Sequence, residues 1–385
     1  MIKRVISIMT VAILALSLAI PAMATTSDED AIVQKTLDEV TDLYSDVYTI
    51  SDSSAQIIER TQDDNGNNEY IISVSFKRTL KVTKATDIPA IQGMIAAKDL
   101  LNDPDEVRAA ETYISGRIAD MEDNYIGVAQ DTNVMLRVIV PVAMAASIMS
   151  EDIITRDTIE VESALEDGVY EALRNLAPRS AAEQYKAGVI LVEEIAANNT
   201  TAMTVSMEST ASTPHNERIF YYDRVKARDY ARKWSCKKAI LGEHSTCHNP
   251  NYKYFQGDDG TDCTNFVSQC IHEGGLRTDS IWYPYSSYWT TTGNKGAGIR
   301  QYVVNHDLFF KTSDIDRAFA GSIINLLNKD GTNAGHVGLI DQNDFSTVTL
   351  CAHDSCHSSY PVSNWTYKNY FVPYYDSHAG QWIEP

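Results

Sequence analysis

Residues 260–275 read GTDCTNFVSQCIHEGG. If Cys263 lies in the first turn of a helix, Phe266, Val267, Cys270 and Ile271 follow at i+3, i+4, i+7 and i+8 and form one apolar face. Gly274-Gly275 then stops the helix. The N-terminus of a helix presents unpaired N–H groups and the positive end of the dipole, which lowers the pKa of a thiol held there. A thiolate is the nucleophile that covalent acyl transfer requires. Cys270, two turns further in, reads as core. Cys263 has a rival reading as half of a structural disulfide, and spacing alone does not separate the two.

A cysteine nucleophile needs a base. Residues 335–340, GHVGLI, place His336 at the start of a strand between glycines, where a substrate can approach. A hairpin with the loop Gln342–Phe345 pairs Asp341 with Ser346 and sets His336 opposite Cys351. His353 then lies diagonal to His336 on the same face, roughly 7–8 Å away along the backbone. In that register His353 is the third group that orients His336, and Asp354 points to the opposite face. A loop one residue longer or shorter reverses that preference.

The N-terminus carries Lys3 and Arg4, an apolar run from Val5 to Ile20, and Ala22-Met23-Ala24. This is the pattern of a secretory signal peptide cleaved after Ala24. The run, about sixteen residues, is short for the roughly twenty-residue span of a membrane helix. The expectation is therefore an exported protein, secreted or in the cell envelope, with no stable membrane insertion after cleavage. Residues 25–215 hold 34 Asp/Glu against 14 Lys/Arg, a net of −20, whereas residues 216–385 hold 18 against 16, a net of −2. So acidic a half argues against nucleic acid as a partner. All six cysteines lie at or after Cys236, and in an exported chain an even count invites a disulfide framework.

The chain divides into a signal peptide (1–24), an acidic α+β domain (25–206), a linker of small polar residues (207–217) and a second α+β domain (218–385). In the acidic half the patterns predict helices over 28–50, 105–121, 160–176 and 181–197. They predict strands over 70–82 and 201–206. No motif there carries chemistry, and its place ahead of the cysteine domain suggests a cover over the groove. In the second half a helix over 223–234 precedes the Cys263 helix, another spans 298–308, and three strands follow within 322–353.

Asn249-Pro250 with aromatics behind it, then Asp262-Cys-Thr-Asn-Phe-Val-Ser-Gln269, Gly274-Gly275, Trp282 and Trp289, resemble the "putative amidase domain" family. That family looks like a relative of the papain-like NlpC-type and CHAP cell-wall hydrolases. The resemblance covers residues 218–376 and adds nothing to the acidic half. It implies a papain-like fold, with the cysteine-bearing helix packed on an antiparallel sheet. It also implies Cys263 as nucleophile, His336 as base and His353 as the orienting residue, with peptidoglycan or a peptide as substrate and no cofactor. An oxyanion would be held by backbone N–H groups near Cys263, with Gln256, Asn249 or Tyr252 as a side-chain donor. Trp282, Tyr285, Tyr288 and Trp289 would line a groove. Four cysteines fall outside the family's pattern and are paired here as Cys236–Cys247 and Cys351–Cys356.

Two rival functions remain open. His244, Cys247 and His248 form one cluster of zinc-type ligands, and Cys351, His353, Cys356 and His357 form another. A non-catalytic secreted binding module on a hydrolase scaffold is the other. A chelator separates the zinc protein from the cysteine enzyme, and a thiol alkylator separates the enzyme from the binder.

Overall fold

The computed structural model describes residues 26–141, 154–163, 166–208, 216–235, 247–255, 261–293, 298–327, 333–354, 357–362, 368–377 and 380–383. The expected signal peptide, most of the linker, and Cys236, His244, Gln256 and Cys356 lie outside them.

Helix α1 (Thr26–Ser45) leads into a long hairpin, β1 (Tyr48–Gln62) and β2 (Asn68–Leu80). Helices α2 (Pro89–Lys98) and α3 (Pro104–Asn124) follow, each with proline in its first turn, where no N–H bond is lost. Then come β3 (Gln130–Val140), β4 (Ile159–Ser163), β5 (Glu166–Ala172) and α4 (Ala181–Glu208). The five strands make an antiparallel meander in sequence order. Gly93 of α2 and Gly188 of α4 let these helices touch backbone to backbone. A Cβ on Gly93 would sit 2.1 Å from the Tyr185 carbonyl oxygen, and one on Gly188 would sit 2.0 Å from that of Ala90.

The second half begins with α5 (Arg224–Trp234), whose first N–H groups at Val225 and Lys226 donate to the Asp223 carboxylate. Helix α6 (Cys263–Glu273) is the one expected, and two short helices follow, α7 (Ser287–Thr290) and α8 (Ile299–Asn305). Strands β6 (Phe309–Thr312), β7 (Ile323–Leu327), β8 (Asn333–Asn343), β9 (Val348–Ala352), β10 (His357–Pro361) and β11 (Lys368–Pro373) form an antiparallel sheet. Its order is β10-β9-β8-β7-β11-β6. Among the described residues the architecture is therefore α+β with two large antiparallel sheets and a two-stranded ribbon of Tyr375–Asp376 with Gln381–Trp382.

Three local expectations fail for physical reasons. Residues 160–176 are two strands and a 3₁₀ turn, because Ile159 and Val161 are buried at the period of a strand. Residues 201–206 belong to α4. Residues 46–50 leave the first helix and start β1, a mostly exposed edge strand with too few apolar positions to show a period.

The larger sheet is buried on both faces. Ile323, Val337, Leu339, Cys351 and Phe371 point toward α6 and its neighbours. Their chain neighbours Ile324, Ile340, Leu350, Ala352, Tyr370 and Val372 point the other way. This second set forms one core with the N-terminal half, joining Tyr44, Phe76, Leu136 and Met94 among others. The expected separate acidic domain is thus packed onto the sheet through a shared core. Among the described residues its core side chains lie across the sheet from Cys263.

Polar groups lock the same seam. Arg78, fully buried, donates to Asp344 and Gln342 at 2.6 Å each and to Thr132 at 2.9 Å. The Tyr48 hydroxyl donates to the same Asp344 carboxylate at 2.9 Å. Arg224 joins Asp120 of α3 at 2.6 Å and also bonds Asp376. Arg179 forks onto Asp316 at 2.7 and 2.9 Å.

Candidate active site

Helix α6 opens as the spacing predicts, with Cys263 1% exposed and Phe266, Val267, Cys270 and Ile271 buried in the core below. The polar residues of the motif are buried too, and each has a partner. Asn265 takes the Trp289 indole N–H on its oxygen at 2.8 Å and donates to Asp262 and to the Lys253 carbonyl. Ser268 donates to the Trp289 carbonyl, and Gln269 accepts from the Tyr230 hydroxyl. The motif's side chains therefore rivet α6 to the loops around it. Trp282 and Trp289 are fully buried core rather than groove lining, whereas Tyr285 is exposed and Tyr288 partly buried.

The helix's leading N–H groups are already in use. The backbone N–H of Asp262 donates to Asp354 Oδ1 at 2.8 Å, and that of Cys263 itself donates to Asp354 Oδ2 at 3.0 Å. The Cys263 sulfur, a ring nitrogen of His336 and a carboxylate oxygen of Asp354 all lie within 4.8 Å of one another. The structure thus brings two of the expected site residues, Cys263 and His336, together, and adds Asp354.

Asp354 was missed because of register. The observed pairs are Leu339 with Cys351 and Ile340 with Leu350, then, after a bulge, Gln342 with Thr349. The turn is Asp344–Thr347 rather than Gln342–Phe345. Continuing the Leu339–Cys351 pairing outward sets His336 opposite Asp354, not Cys351. Asp354 holds φ at +73°, in the left-handed region that aspartate tolerates better than most residues.

His353 turns elsewhere. Its Nδ1 is 2.6 Å from Asp262 Oδ2 and its Nε2 is 2.9 Å from the Trp234 carbonyl oxygen. With both nitrogens taken, it makes no hydrogen bond to His336, which corrects the orienting role read from the hairpin. Its ring stacks on Phe266 at 3.9 Å and meets His248 edge-on at 4.7 Å.

The thiol also departs from expectation. Burial, followed by the negative charge of Asp354, pushes Cys263 up to about 11. The Val337 N–H and the Thr264 and Thr261 hydroxyls offset part of this. The helix end does not produce the lowered value expected from the sequence, because the sulfur is dry and a carboxylate occupies the leading N–H groups.

Most other expected groups are spoken for. Tyr252 gives its single hydroxyl proton to Glu273 and is not free as an oxyanion donor in this state, whereas Asn249 spends one of its two amide N–H groups on the Tyr230 hydroxyl. Cys351 is a free buried thiol, which removes the Cys351–Cys356 pairing. Cys270 is likewise a free thiol, and burial raises it well above the ordinary value. Neither sequence cluster of zinc-type ligands assembles as written among the described residues. His357 stacks on Tyr360, whereas His248, Asp262 and His353 bring ligand atoms within 4.8 Å of one another.

Residues 221–375 match the family model described as "Putative amidase domain". Uncharacterized protein YhbB of Bacillus subtilis (strain 168) is 33% identical over 94 residues, covering 23% of this chain and 26% of the relative. Uncharacterized protein YjcM of the same strain is 32% identical over 83 residues, covering 22% of this chain and 16% of the relative. The matched segments thus span about a quarter and a sixth of these curated relatives. No solved structure matches. The C-terminal half of the chain is thus similar to a putative amidase domain, and helix α6 with its Cys263 head lies within the matched region.

Proposed function

We propose that this chain is an exported cysteine amidase or peptidase that hydrolyses an amide bond, with peptidoglycan as its substrate. The observation that carries the reading is the meeting of Cys263, His336 and Asp354 within 4.8 Å at the head of a helix packed on an antiparallel sheet. A cysteine helix against a sheet that bears the histidine is also the arrangement expected of a papain-like hydrolase. Export, with cleavage after Ala24, is the compartment this substrate requires.

In the reaction the Cys263 proton passes to His336 as the sulfur attacks the amide carbonyl. His336 then gives that proton to the leaving amine as the C–N bond breaks, leaving a thioester on Cys263. Water, deprotonated by His336, cleaves the thioester and returns the thiol. A thiol raised to about 11 is a poor nucleophile alone, so transfer to the adjacent imidazole is the step that arms it. The Cys263 N–H is well placed to hold the oxyanion, but it carries Asp354 in this state. Substrate displaces that carboxylate, which is then free to orient His336.

The test incubates the chain 25–385 and its Cys263→Ala variant with peptidoglycan and reads the products by mass spectrometry. New amine-bearing fragments from the parent alone support the reading and identify the bond. Equal cleavage by both removes Cys263 as nucleophile.

A further inference from the structure

Asp262 and His353 meet at the head of α6, both 1% exposed, with Asp262 Oδ2 2.6 Å from His353 Nδ1. His248, partly buried in segment 247–255, brings a third donor, and the ligand atoms of His248, Asp262 and His353 all lie within 4.8 Å of one another. No step of the proposed reaction uses any of the three. Two imidazoles and a carboxylate are a donor set that suits zinc, whereas magnesium and calcium take oxygen ligands. In a tetrahedral zinc shell with bonds of about 2.0–2.1 Å, neighbouring donor atoms stand about 3.3 Å apart. The Asp262–His353 pair would open slightly to reach that spacing, and His248 would close on it.

The surroundings hold these donors as a metal site holds its ligands. A carbonyl only accepts, so His353 Nε2 gives its N–H to the Trp234 carbonyl at 2.9 Å, which turns Nδ1 toward Asp262. Asp262 Oδ1 accepts the Phe255 N–H at 3.0 Å and the Asn265 amide at 2.8 Å, so Oδ2 is the oxygen that faces the histidine. Hydrogen bonds on the far side of a ligand fix its orientation toward the metal. Aromatic rings enclose the group. Phe266 stacks on His353 with 3.9 Å between centroids, Tyr254 stacks on His248 at 3.5 Å, and the two imidazoles meet edge-on at 4.7 Å.

We propose that His248, Asp262 and His353 form a zinc site, separate from the Cys263 group, that ties segment 247–255 and the end of β9 to the residue preceding Cys263. The two groups interleave. Asp262 and Cys263 are consecutive, as are His353 and Asp354, and each pair sends one residue to the ion and one to the thiol. The Cys263 group competes less well for a metal, because Asp354 spends one oxygen on the Asp262 N–H and the other on the Cys263 N–H. The ion fixes where α6 begins, and its binding does not depend on Cys263 being the nucleophile.

The experiment strips the chain 25–385 with a chelator, then titrates it with zinc chloride by calorimetry and with cobalt chloride by visible absorption. One ion per chain is expected, with a cobalt spectrum of nitrogen and oxygen donors and no sulfur-to-metal charge-transfer band. His248→Ala changes a partly buried side chain outside the Cys263 group, and matching far-ultraviolet circular dichroism of the stripped chains shows that it folds. It should weaken zinc binding by about a hundredfold or more, whereas Cys263→Ala should leave the affinity unchanged. Zinc should raise the thermal midpoint of the parent and not that of His248→Ala. No zinc binding, equal binding by the parent and His248→Ala, or a thiolate band that disappears in Cys263→Ala would each overturn the site. If peptidoglycan is not cleaved while zinc binds as expected, the substrate assignment fails and the zinc site stands.

Discussion

Removing the carboxylate of Asp344 is the sharpest test of the seam. Asp344 lies in the turn between β8 and β9, is 1% exposed, and faces Arg78 of β2, which is fully buried. In Asp344→Ala, Arg78 keeps Thr132 and Gln342 but loses the only anion it contacts among the described residues. An unpaired buried guanidinium costs about 3–5 kcal/mol. The converse change, Arg78→Met, is milder, because the carboxylate still accepts from the Tyr48 hydroxyl and the Ser346 and Thr347 N–H groups. It should cost about 2–3 kcal/mol, the lower part of the range for breaking a buried polar contact. Urea unfolding followed by tryptophan fluorescence and by far-ultraviolet circular dichroism gives both values. The two signals should shift together in one transition, with Asp344→Ala the lower midpoint. Two separate transitions, or a change below about 0.5 kcal/mol in Asp344→Ala, would refute the claim that the halves form one cooperative unit.

The remaining predictions follow from burial and charge. Cys263, raised from 9.0 to about 11 in the folded chain, stays a thiol after its unfolded counterpart ionises. Its stabilisation is complete below pH 9 and is lost as pH rises toward 11, so Cys263→Ala should flatten that part of the stability curve by about 2–3 kcal/mol. Asp314 is raised to about 6 by burial and then by Asp316, so its contribution is present below the unfolded value of 3.8 and lost as pH climbs through 6. Asp314→Asn should therefore raise the thermal midpoint at pH 7.5 and leave it unchanged at pH 3.5; a shift at both would sink the assignment. Gly188→Ala should destabilise by more than about 2 kcal/mol, because its methyl group meets backbone rather than a movable side chain. The fragment 218–385 alone should lack a cooperative melt and regain it on coexpression with 25–208.

What the sequence shows of the site is what lies within one element. Cys263 with its apolar face, and the Gly-His-Val strand, are local patterns, and each was legible. Asp354 was hidden because its side depends on a bulge between Ile340 and Gln342 and on where the turn falls, and neither leaves a mark in composition. His353 was found as a residue of consequence but given the wrong neighbour for the same reason. Residues 48–62 have too few apolar positions to reveal a strand, and 159–172 satisfy helix and strand patterns alike until Ile159 and Val161 are seen to be buried. The seam was illegible because Arg78 and Asp344 lie 266 residues apart in the chain.

The back-to-back sheet also bears on how chains of this kind are compared. The matched region opens at Tyr221 and closes at Tyr375, yet the side chains that fill the far face of its sheet include Tyr44, Phe76 and Leu136. A line drawn around the matched residues therefore cuts through an interior. Two chains that share this motif while differing upstream need different solutions for covering Ile340, Leu350 and Val372. The upstream sequence is thus constrained by the shape of those residues rather than by the bond that is cut, and it is free to diverge wherever another surface fits them.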